Sequence, residues 1–338
     1  MPKIDAKIRR FFHRGLAAWY QTAQRDLPWR RNPEPYAVTV SEFMCQQTQI
    51  ATVLPYFERW LAAFPDWKAL AGAPESRVLK LWEGLGYYNR ARNLQRLARV
   101  IDRDFSGSMP SDPAALLKLP GIGPYTAGAI ASIAFGRRAA VLDGNVERVL
   151  TRVFDLDWNV SRPDSKRRLW QLAAALLPEE EAGNHNQALM ELGALICSPR
   201  SPQCLLCPLK TICRSQNPES RPVKSRAVTT REYEQIALLQ KPGKIWFLKP
   251  GRTGRWKGFY RLPLLDESTM QARASLGRIT YSITRYRVQS EIVAARWKRK
   301  AAPGGIWLTP SQTEKLALPA PHRKVLQMSP GLLNQTTF

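Results

Sequence analysis

The hydrophobic period of this chain changes once, and that change constrains its fold more than any other feature. Up to about residue 196 the apolar residues recur at helical spacing, as in Val78, Leu79, Trp82 and then Leu94, Leu97, Ala98, Ile101. Turns containing proline or glycine cut these stripes into short helices, and Pro74 and Pro113 suit helix starts. Residues 214–230, RSQNPESRPVKSRAVTT, are polar and lack periodicity, so they read as a linker. Beyond them the period becomes two. Ile236–Leu239 and Ile245–Leu248 flank a Pro-Gly turn like a hairpin, and in RITYSITRYRV the residues Ile279, Tyr281 and Ile283 alternate with Thr280, Ser282 and Thr284. The expectation is a mainly α region over 1–213, a linker over 214–230, and a smaller α+β domain with one or two helices over 231–338.

Charge narrows the class of partner. The 338 residues hold 51 Lys and Arg against 27 Asp and Glu, a net charge of +24, and residues 221–338 alone hold 22 against 6. Such a field draws polyanions, nucleic acid first, although a solvated basic surface is the bland alternative. No run reaches the ~18 apolar residues of a membrane span. The N-terminal MPKIDAKIRRFFHRGLAAWY has His13 and Arg14 where a signal core would lie. The reading is an intracellular, cytoplasmic monomer whose first helix starts near Asp5; an Arg-rich organelle transit peptide is the alternative, against which Asp5 and the lack of serine argue.

Cys197, Cys204, Cys207 and Cys213 fall within 17 residues, with six, two and five residues between them. In a reducing compartment four close thiolates suit a soft metal or an iron–sulfur cluster better than disulfides. Spacing leaves zinc and iron–sulfur both open. Cys45 stands apart and reads as a small core residue. Arg200, in the SPRSPQ loop between the first two cysteines, either offers a cation to a phosphate or is an ordinary exposed arginine.

In LPGIGPYTAGAI, residues 119–130, Leu119 ends one helix and Tyr125 begins another. Gly121 and Gly123 leave backbone N–H groups uncovered beside a helix start, a place to hold one phosphate without reading a base. Ile122 would plug the crease between the helices. A tight helix connection is the alternative.

The hairpin, LDGNVERVL at 142–150 and the four-cysteine spacing together resemble the helix-hairpin-helix DNA glycosylases of the endonuclease III superfamily. LPW at 27–29, SEFMCQQTQIATVLPYFERW at 41–60 and WEGLGYYNRARNL at 82–94 are similar to the adenine DNA glycosylases, which remove adenine mispaired with 8-oxoguanine. The likeness covers residues 8–213 and continues more weakly through GRWKGFYRLP and LALPAPHRKVLQ, as in that family's Nudix-like C-terminal domain.

The resemblance implies a [4Fe–4S] cluster on the four cysteines and double-stranded DNA with 8-oxoguanine·A or G·A mispairs as partner. It implies Glu42 as the acid that protonates adenine and Asp143 as the carboxylate facing the sugar. Asn145 would be the hydrogen-bond partner of Asp143. Two carboxylates in unlike environments can divide acid and anionic roles, and the apolar Val38, Val40, Phe43 and Met44 around Glu42 fit the acid. For Asp143 a helix N-cap is the bland reading. Tyr125 occupies the position of the lyase lysine, and a phenol forms no Schiff base, so the enzyme would be monofunctional. Gln46 and Tyr87 would wedge into the base stack, while Leu27, Trp29, Arg30 and Glu191 would line the adenine pocket. The C-terminal domain lacks the Glu-rich helix that binds magnesium in working Nudix hydrolases, which suits lesion reading instead. There Tyr281-Ser282-Ile283 aligns with the family's usual Phe-Ser-His, so Ile283 replaces a polar contact; the alternative is a register shifted by one or two residues, which would bring Thr284 or Arg285 to that place. The alternatives are a thymine glycosylase acting on T·G mismatches and a non-catalytic iron–sulfur DNA-binding protein.

Overall fold

The structure, a computed structural model, describes residues 2, 4–224, 228–298 and 304–328. The chain divides into two compact units, Met1–Ala71 with Arg96–Arg226 and Gly72–Gln95 with Ala227–Phe338. No helix among the described residues is long and apolar enough to cross a membrane.

The first unit is helical. Its opening helix, Ala6–Ala23, is capped by Asp5, whose side chain accepts from Ile8 N at 2.7 Å, and it buries the stripe Phe12, Leu16, Tyr20. That stripe packs with the helices Gly144–Val153, Pro163–Leu176 and Ala182–Leu195 around one core containing Val149, Leu169 and Leu192. Prolines open several helices, including Pro35–Cys45, Pro113–Leu116 and Pro124–Ile133, where the ring pre-sets φ and removes a donor that would lack a partner. The helix expected to end at Leu119 stops at Leu116, and turns carry the chain on to Gly123. Gly193 permits a close approach: a Cβ there would lie 2.6 Å from Asn145 Cβ. Part of the polar stretch read as a linker is bonded to this unit. Val160 N donates to Val223 O at 3.0 Å, and Arg152 Nε donates to Arg221 O at 3.2 Å.

The second unit is built on a five-stranded mixed sheet of β1 (Thr230–Lys241), β2 (Lys244–Leu248), β3 (Met270–Ile283), β4 (Tyr286–Trp297) and β5 (Gly305–Leu308), in the order β3-β4-β1-β2-β5. β1 and β4 are parallel and the other pairs antiparallel. Ile236, Phe247, Ile279 and Ile292 pack with Leu318 and Val325, the latter from the helix Ala320–Met328. RITYSITRYRV is more than a single strand, because it turns at Thr284 and Arg285, and Thr284 takes a φ of 50°. Residues 72–95 belong to this unit. Glu83 accepts from Arg323 Nε at 2.6 Å, and the Tyr88 and Phe259 rings lie 4.4 Å apart.

Candidate active site

A cavity of about 830 Å³ in the helical unit brings together Glu42, Asp143, Asn145, Tyr125, Leu27, Trp29, Arg30, Gln46 and Glu191. Glu42 sits near the end of the helix Pro35–Cys45, with Val38 through Met44 buried around it. Burial pushes its carboxyl up to about 7. A Tyr125 hydrogen bond works against this, and the nearby Asp143 adds to it. The Tyr125 hydroxyl also lies 3.2 Å from Met190 Sδ.

Asp143 is the N-cap of the helix Gly144–Val153. Its Oδ1 accepts from Asn145 N at 2.9 Å and Val146 N at 2.7 Å, and its Oδ2 accepts from Asn145 Nδ2 at 2.9 Å. The capping role and the place in the cavity therefore coexist. Burial raises the Asp143 pKa, while the bonds from Val146 and Asn145 oppose the rise. Arg148 holds the turn from behind. Its Nη2 donates to Asn145 Oδ1 at 2.8 Å and Gly193 O at 2.6 Å, and its Nε donates to Cys197 O at 2.7 Å.

The same cavity is also lined by an arginine clamp. Glu191, with its side chain 1% exposed, accepts from Arg25 Nε at 2.7 Å and Arg30 Nη2 at 2.8 Å. Burial alone would raise its pKa, but the two arginines more than offset that and hold it at about 2. Arg30 Nε also donates to Gln187 Oε1 at 3.1 Å. Trp29 packs edge-on against Phe57 at 4.9 Å while lining the cavity, so its core and pocket roles are one. Cys45, read as a core residue, instead faces this cavity at the end of its helix. Arg25 and Arg148 escaped the sequence reading. Arg25 lies two residues before Leu27, and Arg148 lies one turn after Gly144.

The remaining expected residues lie elsewhere. Gly121 has a φ of 76°, whereas Gly123 is an extended N-cap at φ −97° that any residue adopts. Ile122 is buried between them. Arg200 is exposed, and its carbonyl accepts from Ser198 Oγ at 2.8 Å. Tyr87 belongs to the second unit, with a φ of 46° and the Arg90 guanidinium 5.6 Å from its ring. Tyr281 and Ser282 fall on opposite faces of β3: the Tyr281 hydroxyl donates to Glu234 Oε1 at 2.6 Å, and Ser282 is exposed.

Cys197, Cys204, Cys207 and Cys213 are free thiols around one cavity of about 210 Å³. Burial pushes the Cys207 thiol up to about 11, and the three neighbouring cysteines add to the rise. Arg152 Nη1 lies 3.5 Å from Cys197 Sγ and donates to Ser198 O at 2.6 Å. Among the described residues no three His, Cys, Asp or Glu side chains are placed to hold a single metal ion.

Residues 40–175 match the family of HhH-GPD superfamily base excision DNA repair proteins. The chain is 46% identical over 214 residues to the adenine DNA glycosylase of Homo sapiens, covering 61% of this chain and 39% of that protein. It is 36% identical over 259 residues to the adenine DNA glycosylase of Buchnera aphidicola subsp. Baizongia pistaciae, covering 75% and 73%. The chain thus spans well under half the length of the human relative and nearly three quarters of the bacterial one. Its structure is similar to that of a thermostable thymine-DNA glycosylase, with a TM-score of 0.56 and 31% identity, over 62% of this chain and 96% of the other.

Proposed function

Because the chain belongs to the adenine DNA glycosylase family of the HhH-GPD superfamily, we propose that it hydrolyses the N-glycosidic bond of adenine mispaired with 8-oxoguanine or guanine. The observation that carries this reading is the pairing, in one cavity, of a carboxyl held near 7 with a second carboxylate fixed by a helix N-terminus and an amide. At neutral pH a large fraction of Glu42 carries a proton to give to the leaving adenine. Asp143 supplies negative charge beside the cationic sugar that forms as the bond breaks. Glu42, now ionised, takes a proton from water as the oxygen bonds to the sugar carbon, which restores the starting state. Tyr125 offers no amine, so the strand is left intact at an abasic sugar.

The base must leave the stack to be reached, and Gln46 and Tyr87 are the residues proposed to support the opened duplex. Leu27, Trp29, Arg30 and Glu191 form the adenine pocket, with Arg25 completing the clamp. The turn at Gly121 and Gly123 grips a backbone phosphate, and Arg200 offers a second positive contact. Residues 231–338 act as a Nudix-like lesion-recognition domain. Four thiols lining one cavity suit a [4Fe–4S] cluster, as the family resemblance implies. Cys197, Cys204, Cys207 and Cys213 would hold it, and its role would be to brace the loop carrying Arg200.

The test is incubation with duplexes containing 8-oxoguanine·A, G·A and G·T, with and without alkali. Adenine release with strand scission only after alkali is expected. Cleavage at G·T alone would favour the thymine glycosylase reading, and borohydride trapping at the turnover rate would overturn monofunctional hydrolysis. Anaerobically purified protein should carry about four iron atoms per chain; one zinc and no iron would refute the cluster.

A further inference from the structure

Arg152, in the last turn of the helix Gly144–Val153, is a charged side chain only 2% exposed. Among the described residues no carboxylate pairs with it. The nearest carboxylates in sequence are taken: Glu147 accepts from Lys166 Nζ at 2.7 Å, and Asp155 lies 3.6 Å from Arg221 Nε. Arg148, one turn earlier and 8% exposed, adds a second positive charge on the same helix.

The N–H groups of Arg152 are well used. Its Nη1 donates to Ser198 O at 2.6 Å, its Nη2 to Pro199 O at 3.0 Å, and its Nε to Arg221 O at 3.2 Å. Those carbonyls satisfy the donors, but they are neutral. A buried guanidinium without an opposite charge is strongly disfavoured, so hydrogen bonds alone leave the residue unexplained.

The cysteine loop supplies what is missing. Arg152 Nη1 lies 3.5 Å from Cys197 Sγ, and Arg152 lines the cavity shared by Cys197, Cys204, Cys207 and Cys213. Lys210 belongs to the same lining, and no Asp or Glu does. Such a site favours an anion. Cysteine ligates metal as the thiolate, and four thiolates around iron and sulfide carry a net negative charge as a unit.

We propose that Arg152 is the buried counter-charge of the [4Fe–4S] cluster, donating to Cys197 Sγ and so setting the reduction potential and the retention of the iron. This role rests on the cluster reading given above. A fixed positive charge disfavours loss of an electron from the group beside it, and a hydrogen bond to a ligating sulfur acts in the same direction. Burial keeps solvent from screening either effect.

The experiment uses the anaerobically purified, iron-loaded full chain, without DNA. Arg152→Met removes the charge but keeps an apolar stem, whereas Arg152→Lys keeps the charge and loses the planar fork. Film voltammetry gives the potential, and the decay of the cluster's visible absorbance under a chelator gives the rate of iron release. Arg152→Met is expected to shift the potential to more negative values and to release iron about tenfold faster, the scale of losing a hydrogen bond to a charged group. Arg152→Lys is expected to hold a potential close to the parent's, with intermediate iron release. If Arg152→Met takes up no iron, Arg152→Lys decides: iron held at a parent-like potential supports the counter-charge. Failure of both variants to hold iron would assign Arg152 to the folding of the loop alone and overturn the proposal. A parent-like potential for Arg152→Met, or an equal shift for both variants, would overturn it as well. Absence of iron from the parent would remove the cluster reading together with this role, whereas an iron-loaded parent with unaltered variants removes this role alone.

Discussion

The Asn145 side-chain amide donates to Asp143 Oδ2 at 2.9 Å, so the carboxylate is held at both oxygens once the helix N-terminus has taken Oδ1. A group meant to face a developing cation gains from being fixed before the charge appears. Asn145→Ala frees Oδ2 and removes one of the two acceptors of Arg148 Nη2, leaving Gly193 O. The expected outcome is a fall in kcat of about 10²-fold, the scale of losing one preorganised electrostatic contact, with KM little changed. Single-turnover excision kinetics measure it, and a loss confined to KM would assign Asn145 to substrate binding instead.

Glu42 makes a prediction about pH with a definite sign. Its carboxyl titrates at about 7 in the fold against 4.5 as a free side chain. The folded protein therefore keeps a proton that the unfolded chain releases across that window, and stability falls as pH rises through it, by on the order of 3 kcal/mol. Glu42→Gln should abolish excision yet flatten this dependence, so the variant gains stability relative to the parent above pH 7. Urea unfolding at pH 5 and pH 8 checks it. Excision by the parent should decline above about pH 7 as the acid ionises.

The same residue marks how much of the site could be read from the chain. Glu42 stood out because a lone carboxylate among apolar residues on a helix has to be desolvated, whereas Asp143 stood out only through the likeness of LDGNVERVL to the family motif, since by position alone it reads as a helix N-cap. Arg25 did not stand out, since an arginine in a polar stretch gives no sign that a glutamate 166 residues later will accept from it. Gly121 and Gly123 looked equivalent in sequence, and only the backbone reveals that one needs a positive φ. The change of period separated helical from strand-rich sequence. It gave no hint that residues 72–95 join the sheet unit, because Glu83–Arg323 and Tyr88–Phe259 are long-range contacts without a local signature.

Glu191 offers a test of the clamp. The free side chain titrates at 4.5 and the folded one at about 2, so its stabilising contribution is present above 4.5 and lost as pH falls through 2. Glu191→Gln leaves Arg30, only 11% exposed, without its counter-charge, and should cost about 3 kcal/mol. Water partly rehydrates Arg25, which is 34% exposed and limits the loss. Adding Arg30→Met to Glu191→Gln should recover part of that stability, because the unpaired buried charge is then gone. Strict additivity in urea unfolding would mean that the pair is not coupled.

The pleat of β3 separates two residues that the sequence had set side by side. Tyr281 shares Glu234 Oε1 with Ser290, each at 2.6 Å, so its hydroxyl is committed within the unit. Ser282 is exposed and pairs across the ladder with Arg287, and Ile283 pairs with Tyr286 beside the turn. If this strand reads the oxidised guanine, Ser282 is the residue positioned to do so. Tyr281→Phe should then lower stability by about 1 kcal/mol without changing the preference for 8-oxoguanine·A over G·A. Ser282→Ala should reduce that preference a few-fold. Ile283→His restores a polar atom next to the turn and should raise the preference by up to about tenfold, the scale of one hydrogen bond. The measurement is relative binding to the two mispairs at fixed salt, since the basic surface of this unit adds affinity for any duplex. Unchanged ratios for both Ser282→Ala and Ile283→His would remove β3 as the lesion reader.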